Sequence, residues 1–173
     1  MAILPVRLYG DPVLRRRAEL VREATLEIAR LLDDLVETMY DQVGIGLAAP
    51  QVGVSLRLLV LDEGRGVPRA YINPVIVQQG GEVVGEEGCL SLPGIFADVK
   101  RAQWVVVEAR DRTWAPVHQR ASGLFARVFQ HEVDHLDGIL FIDRLDKVTR
   151  DRIKRRIKRE GFPEHAPTGA LAL

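Results

Sequence analysis

The sequence predicts an α+β fold in a single compact domain. Mixed and antiparallel strands should pack around a central helix carrying H-E-x-x-H, with one helix on its N-terminal side and one on its C-terminal side. Three observations predict this. Residues 25–43 and 123–137 repeat apolar side chains at i, i+3, i+4 and i+7, the spacing of one helix face. Between them lie strand-like runs punctuated by glycine and proline. A length of 173 residues suffices for one domain with a core and not for two, so the expected catalytic domain is 1–173, with 161–173 as a mobile tail.

In residues 1–24, Asp11-Pro12 can cap a single helical turn. Ile28, Leu31, Leu32, Leu35, Val36, Met39 and Tyr40 then form a core-facing helical stripe, with Thr25 as N-cap and Gly44 as stop. Residues 44–53 read as an apolar loop of small residues. Residues 55–62 and 70–79 read as strands, the second marked by Pro74 as an edge or a bulge. Residues 80–94 are strand-like but interrupted by Gly85, Gly88 and Pro93. Two more strands are expected over 98–109 and 114–121, with His118 exposed or at an edge. The helix over 123–137 starts after Ser122 and stops at Gly138. Residues 139–147 should be extended, and 148–160 a basic helix docked by Ile153 and Ile157.

Composition excludes several classes. Lys plus Arg and Asp plus Glu each number 24, so no global charge demands DNA or a membrane surface. No apolar run approaches the roughly 20 residues of a membrane span, and the first residues do not resemble a signal peptide. The single cysteine, Cys89, cannot form an internal disulfide. The expected location is the cytoplasm.

The chemistry concentrates in Gln130-His131-Glu132-Val133-Asp134-His135. Helix positions four apart differ by about 40° and one turn of rise, so His131 and His135 can hold one metal ion from the same face. Glu132 lies about 60° beyond His135, where its carboxylate can take a proton from an activated water. The combination predicts a hydrolytic metal site. Leu124, Val128, His131 and His135 form one stripe; Phe125, Phe129, Glu132 and Leu136 form its neighbour. The polar trio therefore lies on the face that must be buried. Buried unpaired polar groups cost about 1–3 kcal/mol each, and a metal gives all three a shared partner. A catalytic site takes three protein ligands and keeps one position open. The third ligand could be His118, Cys89 or a carboxylate. Cys89 fits best, because it sits in a glycine-flanked turn and its thiolate is a strong soft ligand. Gly44, Gly46 and Ala49 imitate a dinucleotide-binding fingerprint, but a helix precedes them and Pro50 blocks the helix that should follow.

Gly44-Ile-Gly-Leu-Ala-Ala-Pro-Gln51, Glu87-Gly-Cys-Leu-Ser91 and Gln130-His-Glu-Val-Asp-His-Leu136 resemble, in order, the three motifs of the peptide deformylases. The resemblance implies hydrolytic removal of the N-formyl group from the formyl-methionine of nascent polypeptides, with release of formate. It implies one divalent metal ion on Cys89, His131 and His135: Fe2+ in the native protein, with Zn2+, Ni2+ or Co2+ able to replace it on purification. Glu132 is implied as general base and acid, the Gln51 side chain and the Leu90 N–H as oxyanion donors, and Gly46 as a further catalytic position. Ile45, Gly88, Leu124 and Val128 are implied substrate contacts. Two residues depart from the pattern: Phe96 stands where some members carry arginine, and Lys100 where many carry proline. Arg101 is expected to pair with Glu87 or Asp134. In some relatives the C-terminal helix docks on the ribosome, which implies that contact for the basic 148–160 segment. The competing readings are an H-E-x-x-H endoprotease, which leaves Cys89 idle, and a ribosome- or nucleic-acid-binding module with a structural metal.

Overall fold

The computed structural model describes residues 1–163 and 172–173. The Asp11 side chain accepts from the Val13 N–H and starts a 3-10 turn at Pro12–Arg15. Helix α1 spans Leu26–Asp41, with Thr25 Oγ1 accepting from the Ile28 N–H. It ends at Gln42 and not at Gly44, because Val43 takes the left-handed turn itself (φ 57°). The stretch expected as a loop contains a strand, β1 (Gly46–Ala48), followed by a 3-10 turn at Ala49–Val52. Its three residues, all buried, carry no alternation that would mark a strand.

The remaining strands are β2 (Leu58–Leu61), β3 (Arg69–Gly80), β4 (Val83–Cys89), β5 (Leu92–Arg101), β6 (Trp104–Arg110) and β7 (Pro116–Ser122). The main sheet runs β1-β2-β3-β6-β7 with every pairing antiparallel, and β4 and β5 form a separate hairpin. Pro74 marks a bulge in a central strand and not an edge: the β3–β6 register shifts between Ile72 and Val75. The strand expected over 98–109 is two strands. The chain leaves the hairpin at Ala102-Gln103, where the Gln130 side chain bonds both the N–H and the carbonyl of Ala102 at 2.9 Å. Helix α2 spans Gly123–Leu136. The segment expected to be extended turns instead as a 3-10 helix at Phe141–Arg144, where the Asp143 side chain accepts from the Leu140 N–H. Helix α3 spans Lys147–Glu160 behind an Asp146 cap, with Ile153 and Ile157 turned to the core. Of the expected tail, 164–171 lie outside the described residues. Phe162 packs on the core, and Ala172 and Leu173 reach Gly88.

Three apolar clusters fix the site. Strand β2 is buried on both faces, which is why Leu58-Leu-Val-Leu61 shows no polar alternation. Leu58 and Val60 pack with Leu32, Leu35 and Met39 of α1. Leu59 and Leu61 point the other way, into the cluster that holds Phe129 and Leu136 of α2. A third cluster joins Cys89, Leu92 and Val99 of the hairpin to Leu140–Ile142 and the inner face of α3. Helix α2 is anchored at its end by Arg57, which donates to the Leu136 carbonyl and to Asp137, each at 2.9 Å. That contact satisfies one of the carbonyls a helix C-terminus leaves open.

Candidate metal centre and active site

Helix α2 carries His131, Glu132 and His135 inward, and the hairpin end brings Cys89 against them; all four are buried. His131 Nε2 and His135 Nε2 lie 3.2 Å apart, and Cys89 Sγ is 3.4 Å from His135 Nε2. The three ligand atoms fall within 4.8 Å of one another, so they converge on a volume one ion would fill. Two imidazole nitrogens and one sulfur form a donor set for a borderline-soft divalent ion.

The hairpin also orients His131. Glu87 Oε1 accepts from His131 Nδ1 at 2.9 Å, which turns Nε2 of that ring towards the centre. Glu87 is fully buried and is held by Arg101 through two bonds of 2.9 Å and by Arg127 at 2.6 Å. Burial opposes its charge, but Arg101 and His131 overcome that and hold its carboxyl well below the usual range. Arg101 also reaches Asp134 at 2.6 Å, so it pairs with both expected partners. Arg144 closes on Asp134 from the 3-10 turn at 2.7 Å. These bonds form one ionic chain across hairpin, helix and turn.

Glu132 differs from its neighbours. Neither of its oxygens has a hydrogen-bond partner, and burial, reinforced by the Glu87 charge, pushes its carboxyl well above the ordinary range. Burial likewise pushes the Cys89 thiol up, with the Glu132 charge adding to it. Gly46 leaves room for Glu132: a Cβ there would meet Glu132 Oε1 at 2.8 Å and Val128 at 2.9 Å. Gln51, fully buried, accepts from the Ala48 N–H through Oε1. That fixes its Nε2 towards Ser91 Oγ at 3.2 Å and Cys89 Sγ at 3.7 Å.

A family-level sequence profile described as polypeptide deformylase matches residues 3–151. The chain belongs to that family. Its members are metal-dependent hydrolases that remove the N-formyl group from nascent polypeptides, and this chain is such an enzyme. A peptide deformylase of Alkalilimnicola ehrlichii is 49% identical over 162 residues, covering 92% of this chain and 91% of that protein. The crystal structure of the Thermus thermophilus peptide deformylase superposes with a TM-score of 0.87 at 47% identity, covering 91% and 95% of the two chains. That of Legionella pneumophila gives 0.87 at 41% identity over the same shares.

Leu90 lies in the turn after Cys89, partly buried beside Gly44. Ile45 is half-buried on the cluster that contains Val128. Leu124 does not share that burial: it is 48% exposed, because α2 projects beyond the core at its first turn. Gly88 is buried, with the Phe96 ring packed against its Cα where a side chain would otherwise stand. His118 is exposed on edge strand β7 and pairs with Glu108, far from any metal role. Sequence reasoning missed Arg127 and the Glu87–His131 contact. The signal for Arg127 was present: a cation one turn before His131, on the buried side of the helix.

Proposed function

We propose that Cys89, His131 and His135 hold the single divalent ion and that Glu132 is the general base and acid of formyl hydrolysis. The observation that carries this is Glu132, a fully buried carboxylate with both oxygens unpartnered beside three converging ligand atoms. A divalent ion bound there lowers the pKa of water towards about 7 and polarises a carbonyl. Glu132 accepts the proton of the attacking water and returns it to the departing amine. Burial, with the Glu87 charge, holds that carboxyl above its ordinary range, the direction an acid that returns a proton needs. Gln51 Nε2 and the Leu90 N–H donate to the oxyanion that develops on the formyl group. Gly46 gives Glu132 its space, and Gly88 offers backbone to the peptide. Ile45 and Val128 line the pocket for the methionine side chain, with Leu124 at its rim. Fe2+ is the native ion in this reading; the His2Cys set also accepts Zn2+, Ni2+ and Co2+. The enzyme works where nascent chains emerge, in the cytoplasm, on formyl-methionyl peptides. The exposed cations of α3, such as Arg152, Arg155 and Arg159, face the ribosome.

The test is anaerobic purification, metal analysis and formate release from a formyl-methionyl peptide, with Glu132→Gln as control. Formate from the parent, and metal retained but activity reduced about 10²–10⁴-fold in the variant, is the expected result. A fully metallated parent that releases no formate overturns the site assignment. Reversing Arg152, Arg155 and Arg159 to Glu should weaken co-sedimentation with ribosomes and spare turnover of short peptides. Unchanged sedimentation removes the ribosome contact.

A further inference from the structure

Gly88 lies between Glu87, which orients His131, and the proposed ligand Cys89. Strand β4 is paired along one edge only, with β5. Among the described residues, the other edge meets backbone at one place. Gly88 forms a parallel bridge with Ala172, and the Leu173 N–H donates to the Gly88 carbonyl at 3.2 Å. Leu173 is only 1% exposed. It belongs to the cluster that contains Ala48, Val128 and Phe129, with Ile45 and Phe125 packed on it. Both described ends of the 161–173 segment lie on the hairpin, since Pro163 packs against Gly94 of β5.

We infer that the Ala172-Leu173 segment occupies the substrate groove as an internal, displaceable competitor of the formylated peptide. The inference rests on the deformylase reading of the site. Two features of strand addition to an open sheet edge are present: main-chain bonding at the edge, and a side chain seated in an apolar pocket. Leu173 shares its apolar cluster with Val128 and Ile45, the residues proposed to hold methionine, and leucine is close to methionine in size and polarity. Tethering raises the local concentration of the segment to the order of mM, so a contact too weak to hold a free dipeptide is still populated. Substrate then binds only the open fraction, and its apparent affinity falls by that fraction. The step after binding is untouched, so the segment raises KM and leaves kcat unchanged.

The test compares the metal-loaded parent with a variant lacking Ala172 and Leu173 and with Leu173→Asp. Both variants should show KM for a formyl-methionyl peptide lowered about two- to tenfold, with kcat unchanged. A dye-labelled Gly-Ala-Leu-Ala-Leu peptide, followed by fluorescence anisotropy, should bind the deletion variant, be displaced by the formyl-methionyl peptide, and bind the parent more weakly. Equal KM across the three proteins, or labelled peptide taken up no better by the deletion variant than by the parent, overturns the inference. The anisotropy needs no turnover, so it decides the question even if no formate is released, a result that would instead count against the deformylase site.

Discussion

Gln51 owes its position to a bond unrelated to chemistry. The Ala48 N–H fixes the amide oxygen, and the Nε2 is thereby aimed at Cys89. Gln51→Ala should lower kcat about 10²–10³-fold with metal content unchanged, measured by formate kinetics alongside metal analysis. An undiminished kcat would remove the oxyanion role. Glu87 is more exacting, since it neutralises Arg101 and Arg127 and orients His131. Glu87→Gln leaves those cations buried and should cost about 3–5 kcal/mol in urea unfolding, while metal affinity drops about 10–100-fold. The convergence of the two histidines and Glu132 could be read from the sequence because helical spacing carries it, and that of Cys89 because its residue type marked it as the best third donor. The tie from Glu87 to His131 could not, because it joins residues 44 apart that only the folded hairpin brings together.

Elements were legible where their period was long and uninterrupted. Helices α1, α2 and α3 were expected close to their observed bounds, and each is long enough to repeat its stripe. Strand β1 was not, and the β5–β6 boundary was blurred, because the Ala102 turn is made by the Gln130 side chain from a distant helix. One tie between elements gives a pH prediction. Tyr40 of α1 donates to Asp62, just past β2, at 2.7 Å. Burial, then the bond to Asp62, raises its pKa from 10.0 to about 12. Protonated Tyr40 therefore stabilises the fold fully below pH 10, and that contribution fades as pH rises from 10.0 to about 12. The stability difference between the parent and Tyr40→Phe should be constant below pH 10 and close across that window, read from urea midpoints at each pH. A difference that stays constant to pH 12 contradicts the assignment.

For the whole molecule, the ion proposed at Cys89, His131 and His135 should act as a ligand of the native state. It should add about 4 kcal/mol when free metal is about 1,000 times Kd. Chelation should lower the thermal midpoint accordingly while far-ultraviolet circular dichroism at room temperature stays unchanged. Loss of the circular dichroism signal on chelation would mean that the metal, and not the protein, holds the fold together. The expectation follows from the ionic chain Arg127–Glu87–Arg101–Asp134–Arg144, which fastens hairpin, helix and turn through protein charges alone. That chain has a consequence for metal traffic. With the proposed ligands Cys89, His131 and His135 already in place, an ion should arrive and leave without unfolding, and occupancy should follow cellular supply and how slowly each ion departs. The same polypeptide, drawn from cells grown on different metals, would carry different ions in an unaltered backbone.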